Sequence, residues 1–483
     1  MNLEQWCQIE EAIYVADSDE RYKQYAGVGH SENTIEKLAG LKSQNSKLFL
    51  ESFSEPRELY LSALENIADS STKKLELKLY NTRNQKISSN KHRLGSSPVN
   101  WSTWRQFNNV QKDDSQRKLV FDEFVSKTKY ISPIIKKRFD ECALVYTKYS
   151  KKKMSPLDGY LENEKISYSQ LIEFVKSLGQ QAKKPFREAL QAVSKKVLGR
   201  EADYYDDFYF FRNRVYADFG RKFAKINPPN QVRRTLESLN FDQSSIRIDT
   251  ENRKEKYPSP ICFFVQVPND VRVLYKSESP YFDLQGCYHE MGHAIHASSI
   301  DPNMAYWDRY GFSMGIAEIF SIFLERLTKN SRYLSYIGIR DKRLLDELEL
   351  RNNFMELFFV TFYAANSLMK AEFWRRRLSM EKASDLYSKL IKEYTGFEVP
   401  GEYWMLHHIL PDAMMYVPSY LLAAVRATEL DRHLRDSYGE DWWEEPESGR
   451  RIREIMAPGA KIDLQGFSRM DSSLFMKEIT AAN

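Results

Sequence analysis

The chain has 483 residues, a formal net charge of +4, 42% hydrophobic residues and 13% aromatic residues. This composition supports a large core, either in two or three domains or in one two-lobed body around a cleft. The small charge and the mixed signs around its basic runs argue against a nucleic-acid partner. The most apolar stretch, residues 354–369, is interrupted by Glu356 and predicts a buried helix and no membrane partner.

The N-terminus and the cysteines indicate a reducing compartment. The first twelve residues carry acidic side chains and no apolar segment of the kind that a signal peptide needs. The four cysteines have no paired spacing, which favours free thiols over disulfides or a cysteine metal site. We therefore expect a cytoplasmic protein.

Helical patterns dominate the chain, so the predicted fold class is mainly α. One example starts at Ser167, which forms a predicted capping box with Gln170, and Gly179 is expected to end that helix. The polar segment 88–99 is predicted to be a linker. For the domains, we expect a helical N-terminal region over residues 1–200 and a catalytic region over 201–483.

Two strands are predicted just before residue 280. Residues 261–267 and 271–275 are rich in β-branched and aromatic side chains and flank the turn Pro268-Asn269-Asp270. An extended peptide could add to the edge of such a hairpin, which makes Val265 and Val267 candidate substrate-binding positions. An ordinary structural hairpin is the alternative.

The strongest chemical signal is the His-Glu-x-x-His pattern of residues 289–293. On a helix, His289 and His293 project from one face and can reach one cation. A catalytic zinc ion takes three protein ligands and leaves one position for water, so a carboxylate from a later helix is expected to complete the site. Glu290 is the predicted general base. His296 is interpreted as a second-shell or packing histidine, because a straight helix cannot bring it to the same ion.

The predicted helix over residues 313–329 supplies the third ligand. Its apolar side is interrupted by a polar row formed by Glu318, Ser321 and Glu325. A buried carboxylate needs a partner, and a zinc ion at Glu318 would provide one. Ser321 and Glu325 would then hold the ligands through hydrogen bonds.

A third group of candidates lies near residue 410. Hydrolysis of a peptide bond builds an oxyanion, which a phenol or imidazole donor can stabilise. His408, Tyr416 and Tyr420 could provide such donors, although tyrosines are abundant in this chain. The adjacent His407 is a candidate substrate-binding residue.

The order of these segments resembles the thimet oligopeptidase and oligoendopeptidase F family of zinc metallopeptidases. The resemblance covers residues 245–425 and rests on Tyr-His-Glu-Met-Gly-His-Ala-Ile-His at 288–296 and on the Glu-x-x-Ser-x-x-x-Glu stretch at 318–325. It implies a two-lobed helical ellipsoid with a deep channel, in which residues 1–200 form one wall. It also implies one Zn²⁺ ion, oligopeptide substrates, and His408, Tyr416 and Tyr420 as catalytic groups at the oxyanion.

Two alternatives remain open at this point. A helical zinc carboxypeptidase or dipeptidyl carboxypeptidase would carry the same metal motif. A non-catalytic peptide-binding protein could keep the fold, although such a protein has no chemical need for Glu290.

Overall fold

In the part of the chain that the structure describes, many helices and two small sheets are present. The computed structural model describes residues 1–277, 279–407, 409–411 and 415–481, and 71% of the chain is helical. The predicted mainly α fold with a small sheet is therefore confirmed.

In chain order, the helices are α1 (Leu3–Ala26), α2 (Glu32–Ser52), α3 (Arg57–Lys86), α4 (Trp104–Val110), α5 (Asp114–Ser126), α6 (Ser132–Tyr149), α7 (Pro156–Asn163), α8 (Tyr168–Leu198), α9 (Gly220–Phe223), α10 (Pro228–Ser238), α11 (Pro280–Ser299), α12 (Tyr306–Tyr310), α13 (Met314–Arg326), α14 (Ser331–Tyr336), α15 (Lys342–Arg376), α16 (Met380–Thr395), α17 (Val417–Tyr438), α18 (Pro446–Met456) and α19 (Ser472–Thr480). The strands are β1 (Ser88–Leu94), β2 (Ser97–Asn100), β3 (Ile246–Asp249), β4 (Ile261–Gln266) and β5 (Asp270–Leu274).

The chain forms two compact units, each built from separate segments of the sequence. The first unit comprises Met1–Ser70, Phe219–Glu349 and Leu422–Phe475. The second comprises Ser71–Asp218, Leu350–Leu421 and the residues from Met476 on. Each unit thus takes residues from both sides of position 200, and the roles expected for regions 1–200 and 201–483 remain predictions.

A three-stranded sheet lies in the first unit, in the order β3-β5-β4. β4 runs antiparallel to β5, with Phe263 opposite Arg272, and β3 runs parallel to β5. The predicted hairpin of two strands is confirmed, whereas β3 was not predicted. β4 is an edge strand, and α1 and α11 both contact it.

Helix α11 packs closely on α13, and the sequence explains the faces that meet the core. Apolar side chains recur at helical spacing along α11 and are buried: Leu284, Cys287, Tyr288, Met291 and Ile295. α13 starts after Ser313, whose side chain accepts a hydrogen bond from the Ile316 amide. The helix expected over residues 313–329 is confirmed as α13 followed by one turn of 3₁₀ helix at Leu327–Lys329.

Two local predictions in the second unit are wrong. The capping box at Ser167 is present, but α8 continues through Gly179 to Leu198. A Cβ atom at Gly179 would lie 2.4 Å from the Tyr394 ring, so this glycine permits close packing and does not end the helix. The segment 88–99 is also not a linker, because β1 and β2 pair there as an antiparallel hairpin.

The longest helices do not have the composition of membrane spans. Among the described residues, no helix combines the length and the apolar character that crossing a membrane requires.

Candidate metal centre

Three side chains of the first unit converge in an arrangement that could hold a metal ion: His289 and His293 of α11 and Glu318 of α13. The Nε2 atoms of His289 and His293 lie 3.4 and 3.7 Å from the same Glu318 oxygen, Oε2. Two ligands about 2.1 Å from one tetrahedral ion lie about 3.4 Å apart. The spacing and the donor set of two imidazole nitrogens and one carboxylate therefore fit a zinc ion.

Gly292 permits the close contact between α11 and α13. A Cβ atom at this position would lie 2.2 Å from the Phe320 carbonyl oxygen and 2.6 Å from the Ser321 Cα atom. Because both are backbone atoms, any larger residue would push the two helices apart. The glycine between the two histidines thus brings the imidazoles within reach of the carboxylate on the neighbouring helix.

Hydrogen bonds hold two of the three candidate ligands. Nδ1 of His289 lies 2.9 Å from Oε2 of Glu325, and the other oxygen of Glu325 pairs with the Lys329 ammonium at 2.7 Å. The Ser321 hydroxyl lies 3.0 Å from Oε2 of Glu318, the oxygen that faces the imidazoles. These contacts place Ser321 and Glu325 where the sequence interpretation expected them.

The carboxylates give the two histidines different electrostatic environments. Burial alone would lower the pKa of His289, but Glu318 and Glu325 raise that pKa well above its ordinary value. For His293, burial dominates and lowers the pKa despite Glu318. Burial would raise the pKa of Glu325, but Lys329 and His289 lower it to about 2, so this group is a carboxylate at neutral pH.

Glu290 follows His289 on α11, and its side chain is partly exposed. Its charge acts on the imidazoles of His289 and His293. It also acts on the Cys262 thiol of β4, whose pKa is raised well above its ordinary value, mainly by burial and then by Glu290. On the same strand, the Phe264 ring lies 6.3 Å from the His293 ring. A carboxylate, two imidazoles and an edge strand thus meet in one place.

His296 lies one turn further along α11 and has no polar contact among the described residues. It is fully buried between the rings of Phe312 at 5.0 Å and Phe320 at 4.6 Å, and both ring nitrogens lack a hydrogen-bond partner. Burial, with a smaller effect of His293, lowers the pKa of His296 to about 3. The sequence suggests either a second-shell role or a packing role for His296, and its contacts match packing.

The two valines predicted to bind substrate have buried side chains. A peptide could therefore reach Val265 and Val267 only through their main-chain groups. At Val267, the amide donates a hydrogen bond to the Tyr310 hydroxyl at 3.0 Å, and the carbonyl accepts one from Arg309 at 2.9 Å.

The candidate groups near residue 410 belong to the second unit. The rings of Tyr416 and Tyr420 lie 5.0 Å apart at the start of α17, and both side chains are partly exposed. His407 is buried beside Phe362, with 5.6 Å between the rings. His408 lies outside the described residues. The role of these groups at an oxyanion remains a prediction.

Sequence reasoning missed one polar group near the edge strand. Glu11 of α1 binds Arg309, which is 298 positions away in the chain. Neither residue belongs to a recognisable motif, so no local pattern in the sequence predicts that the two form an ion pair.

The chain was also compared with known proteins. None of the known protein families matches it, and neither does any curated protein.

Proposed function

We propose that the protein is a zinc metallopeptidase that hydrolyses peptide bonds in short oligopeptides. The observation that best supports the proposal is the convergence of His289, His293 and Glu318 with Glu290 beside them. Two imidazoles and a carboxylate are a common ligand set of catalytic zinc and leave one position open. The neighbouring edge strand β4 supplies main-chain groups that an extended peptide could use.

Each residue has a defined part in the proposed reaction. When bound, a zinc ion would supply Lewis acidity, which activates water and polarises a peptide carbonyl. Glu290 accepts the proton of the attacking water and delivers it to the leaving amine. Glu325 fixes the orientation of the His289 ring through Nδ1, and Ser321 holds the Glu318 carboxylate.

We further propose membership of the thimet oligopeptidase and oligoendopeptidase F family, on the strength of the two motifs at 288–296 and 318–325. In that case Tyr416, Tyr420 or His408 stabilises the oxyanion. A cytoplasmic location is part of the same proposal.

The direct test is cleavage of a defined peptide pool, with products identified by mass spectrometry. The full-length protein would be incubated with peptides of about 6 to 20 residues after zinc loading, after chelation, and after zinc is restored. We expect internal cuts that chelation abolishes and zinc restores. Absence of cuts by the zinc-loaded protein would overturn the proposal, and tight peptide binding in that sample would favour a non-catalytic binding protein.

A second arm of the test separates the modes of cleavage. Each peptide would be supplied with a free and with an amidated C-terminus. An endopeptidase cuts both forms. Cleavage that is lost on amidation would instead indicate a helical zinc carboxypeptidase or dipeptidyl carboxypeptidase.

A further inference from the structure

A group of three side chains in the first unit closes one end of the β4 edge, and we name it the edge clasp: Glu11, Arg309 and Tyr310. The two terminal nitrogens of the Arg309 guanidinium each lie 2.7 Å from a different oxygen of Glu11. The two side chains thus form a bidentate ion pair. The Tyr310 hydroxyl donates to Glu11 at 3.1 Å. Burial and, to a smaller extent, the charge of Glu11 raise the pKa of Tyr310. The phenol therefore keeps the proton that it donates.

The edge clasp occupies both main-chain groups of Val267. Tyr310 accepts the Val267 amide hydrogen, and Arg309 donates to the Val267 carbonyl. Val267 is the first residue of the turn that follows β4. The preceding residue, Gln266, pairs with Asp270 of β5, so Val267 is the first position past the paired part of β4. Because Tyr310 and Arg309 already bind both of its main-chain groups, an added strand has no free partner at this residue.

The rest of the β4 edge keeps solvent-exposed surface. Residues 261–264 are partly exposed and Gln266 is exposed, although the faces of the strand are covered. On one face the Tyr22 ring of α1 lies 5.7 Å from Phe263, and on the other Phe264 faces His293. The part of β4 that a peptide could extend thus lies beside the candidate metal centre and ends at the edge clasp.

We propose that the edge clasp determines where a bound peptide must stop pairing with β4, and that Glu11 is the positioning residue that holds Arg309 and Tyr310 in place. This proposal rests on the proposed peptidase function and names a specificity element for it. Unpaired outer main-chain groups are what an added strand binds. A peptide that continued past Gln266 would have to break hydrogen bonds that an ion pair supports. The edge clasp therefore limits how many substrate residues lie on that side of the cleaved bond.

The sharpest variant is Tyr310→Phe. It removes the hydroxyl that accepts the Val267 amide hydrogen but keeps the ring, which packs 4.6 Å from Tyr14. Glu11→Gln is the second variant, because it weakens the hold on both partners. For each, the cut positions in a series of peptides lengthened one residue at a time at either end would be mapped, and KM and kcat measured.

In both variants we expect cuts with at least one more residue on one side of the cleaved bond. KM for these longer peptides should fall about two- to tenfold, the effect of one added hydrogen bond, and change more than kcat. The matched control is Asp19→Asn, which removes the charge from an ion pair of 2.8 Å between α1 and Arg272 on β5 and should leave the cut map unchanged. Melting curves for all variants report folding, and Tyr310→Phe decides the result if Glu11→Gln does not fold.

The outcomes separate this proposal from the peptidase proposal. An active wild type whose cut map and KM values persist in Tyr310→Phe and Glu11→Gln would overturn the edge clasp alone. A zinc-loaded wild type that cuts no peptide would overturn both. A changed cut map in Asp19→Asn as well would also count against the edge clasp, since any loosening of the sheet would then have the same effect.

Discussion

Helix α11 carries three histidines in two neighbouring regions that differ in almost every physical respect. At His289 and His293, the imidazoles face carboxylates of α13 at hydrogen-bonding or metal-ligand distances. One turn further, His296 lies between two phenylalanine rings without a polar partner among the described residues. The carboxylates raise the pKa of His289, whereas burial lowers that of His296 to about 3. The partners on α13, and not the residue type, thus decide which histidine can hold a metal ion.

The largest difference between the two regions should appear in metal affinity. Glu318→Gln removes a charged ligand, and we expect zinc affinity to fall by more than about 100-fold. Loss of a residue that only hydrogen-bonds a ligand already costs about 10- to 100-fold in affinity. His296→Leu should leave the affinity unchanged. Titration against a competing chelator measures both. Similar losses in the two variants would contradict the assignment of His296 to packing.

The metal region also depends on how closely the two helices approach. Gly292→Ala places a Cβ atom against backbone of α13, and we expect a loss of about 2–3 kcal/mol in the free energy of unfolding. Gly40→Ala is the control, because this position inside α2 has open space around it. It should be neutral or more stable by up to about 1 kcal/mol. Urea unfolding curves compare them, and equal stability of the two variants would refute the role given to Gly292.

A smaller effect is expected from the partner of His289. Glu325→Gln keeps an acceptor but loses the charge, so zinc affinity should fall about 10- to 100-fold. Lys329→Met is the matched change on the far side of the same carboxylate. Its ion pair is partly exposed, and the loss should not exceed about fivefold, which corresponds to about 1 kcal/mol. The same chelator titration would contradict the account if Lys329→Met had the larger effect.

The burial of His296 should affect how the free energy of unfolding depends on pH. The pKa of His296 is about 3 in the folded protein against an ordinary value of 6.5, so the unfolded chain binds more protons between these pH values. Stability of the wild type should fall as the pH drops below 6.5, with a contribution from this residue of up to about 1.4 kcal/mol per unit. His296→Leu removes that contribution.

The test compares unfolding of the chelated proteins between pH 7 and 5. The advantage of His296→Leu over the wild type should grow as the pH falls, whereas substitution of His30→Leu, at an exposed position, should produce no such trend. A constant difference between His296→Leu and wild type across this range would show that the buried imidazole does not resist protonation.

The sequence predicted those features that depend on spacing along one helix. The pairing of His289 with His293, the polar row of α13 and the capping box at Ser167 all follow from helical geometry, and the structure contains each arrangement. The β4–β5 hairpin was also predictable, because its two strands and its turn are adjacent in the chain.

Features that depend on distant segments were not predictable. The sequence predicts a helix end at Gly179, but the ring that requires a glycine there belongs to Tyr394 on α16. The bond between Glu11 and Arg309 joins helices separated by most of the chain. Long-range packing of this kind leaves no periodic signal in either segment, so only the three-dimensional structure identifies it.

The most direct test of the central claim compares zinc-loaded wild type with Glu290→Gln on one cleavable peptide. Glu290 is not a candidate ligand, so both proteins should bind one zinc ion with similar affinity. The account predicts that kcat/KM falls by about 100-fold or more in Glu290→Gln, the usual contribution of a general base. Equal kcat/KM values at equal zinc content would contradict the proposed peptidase mechanism.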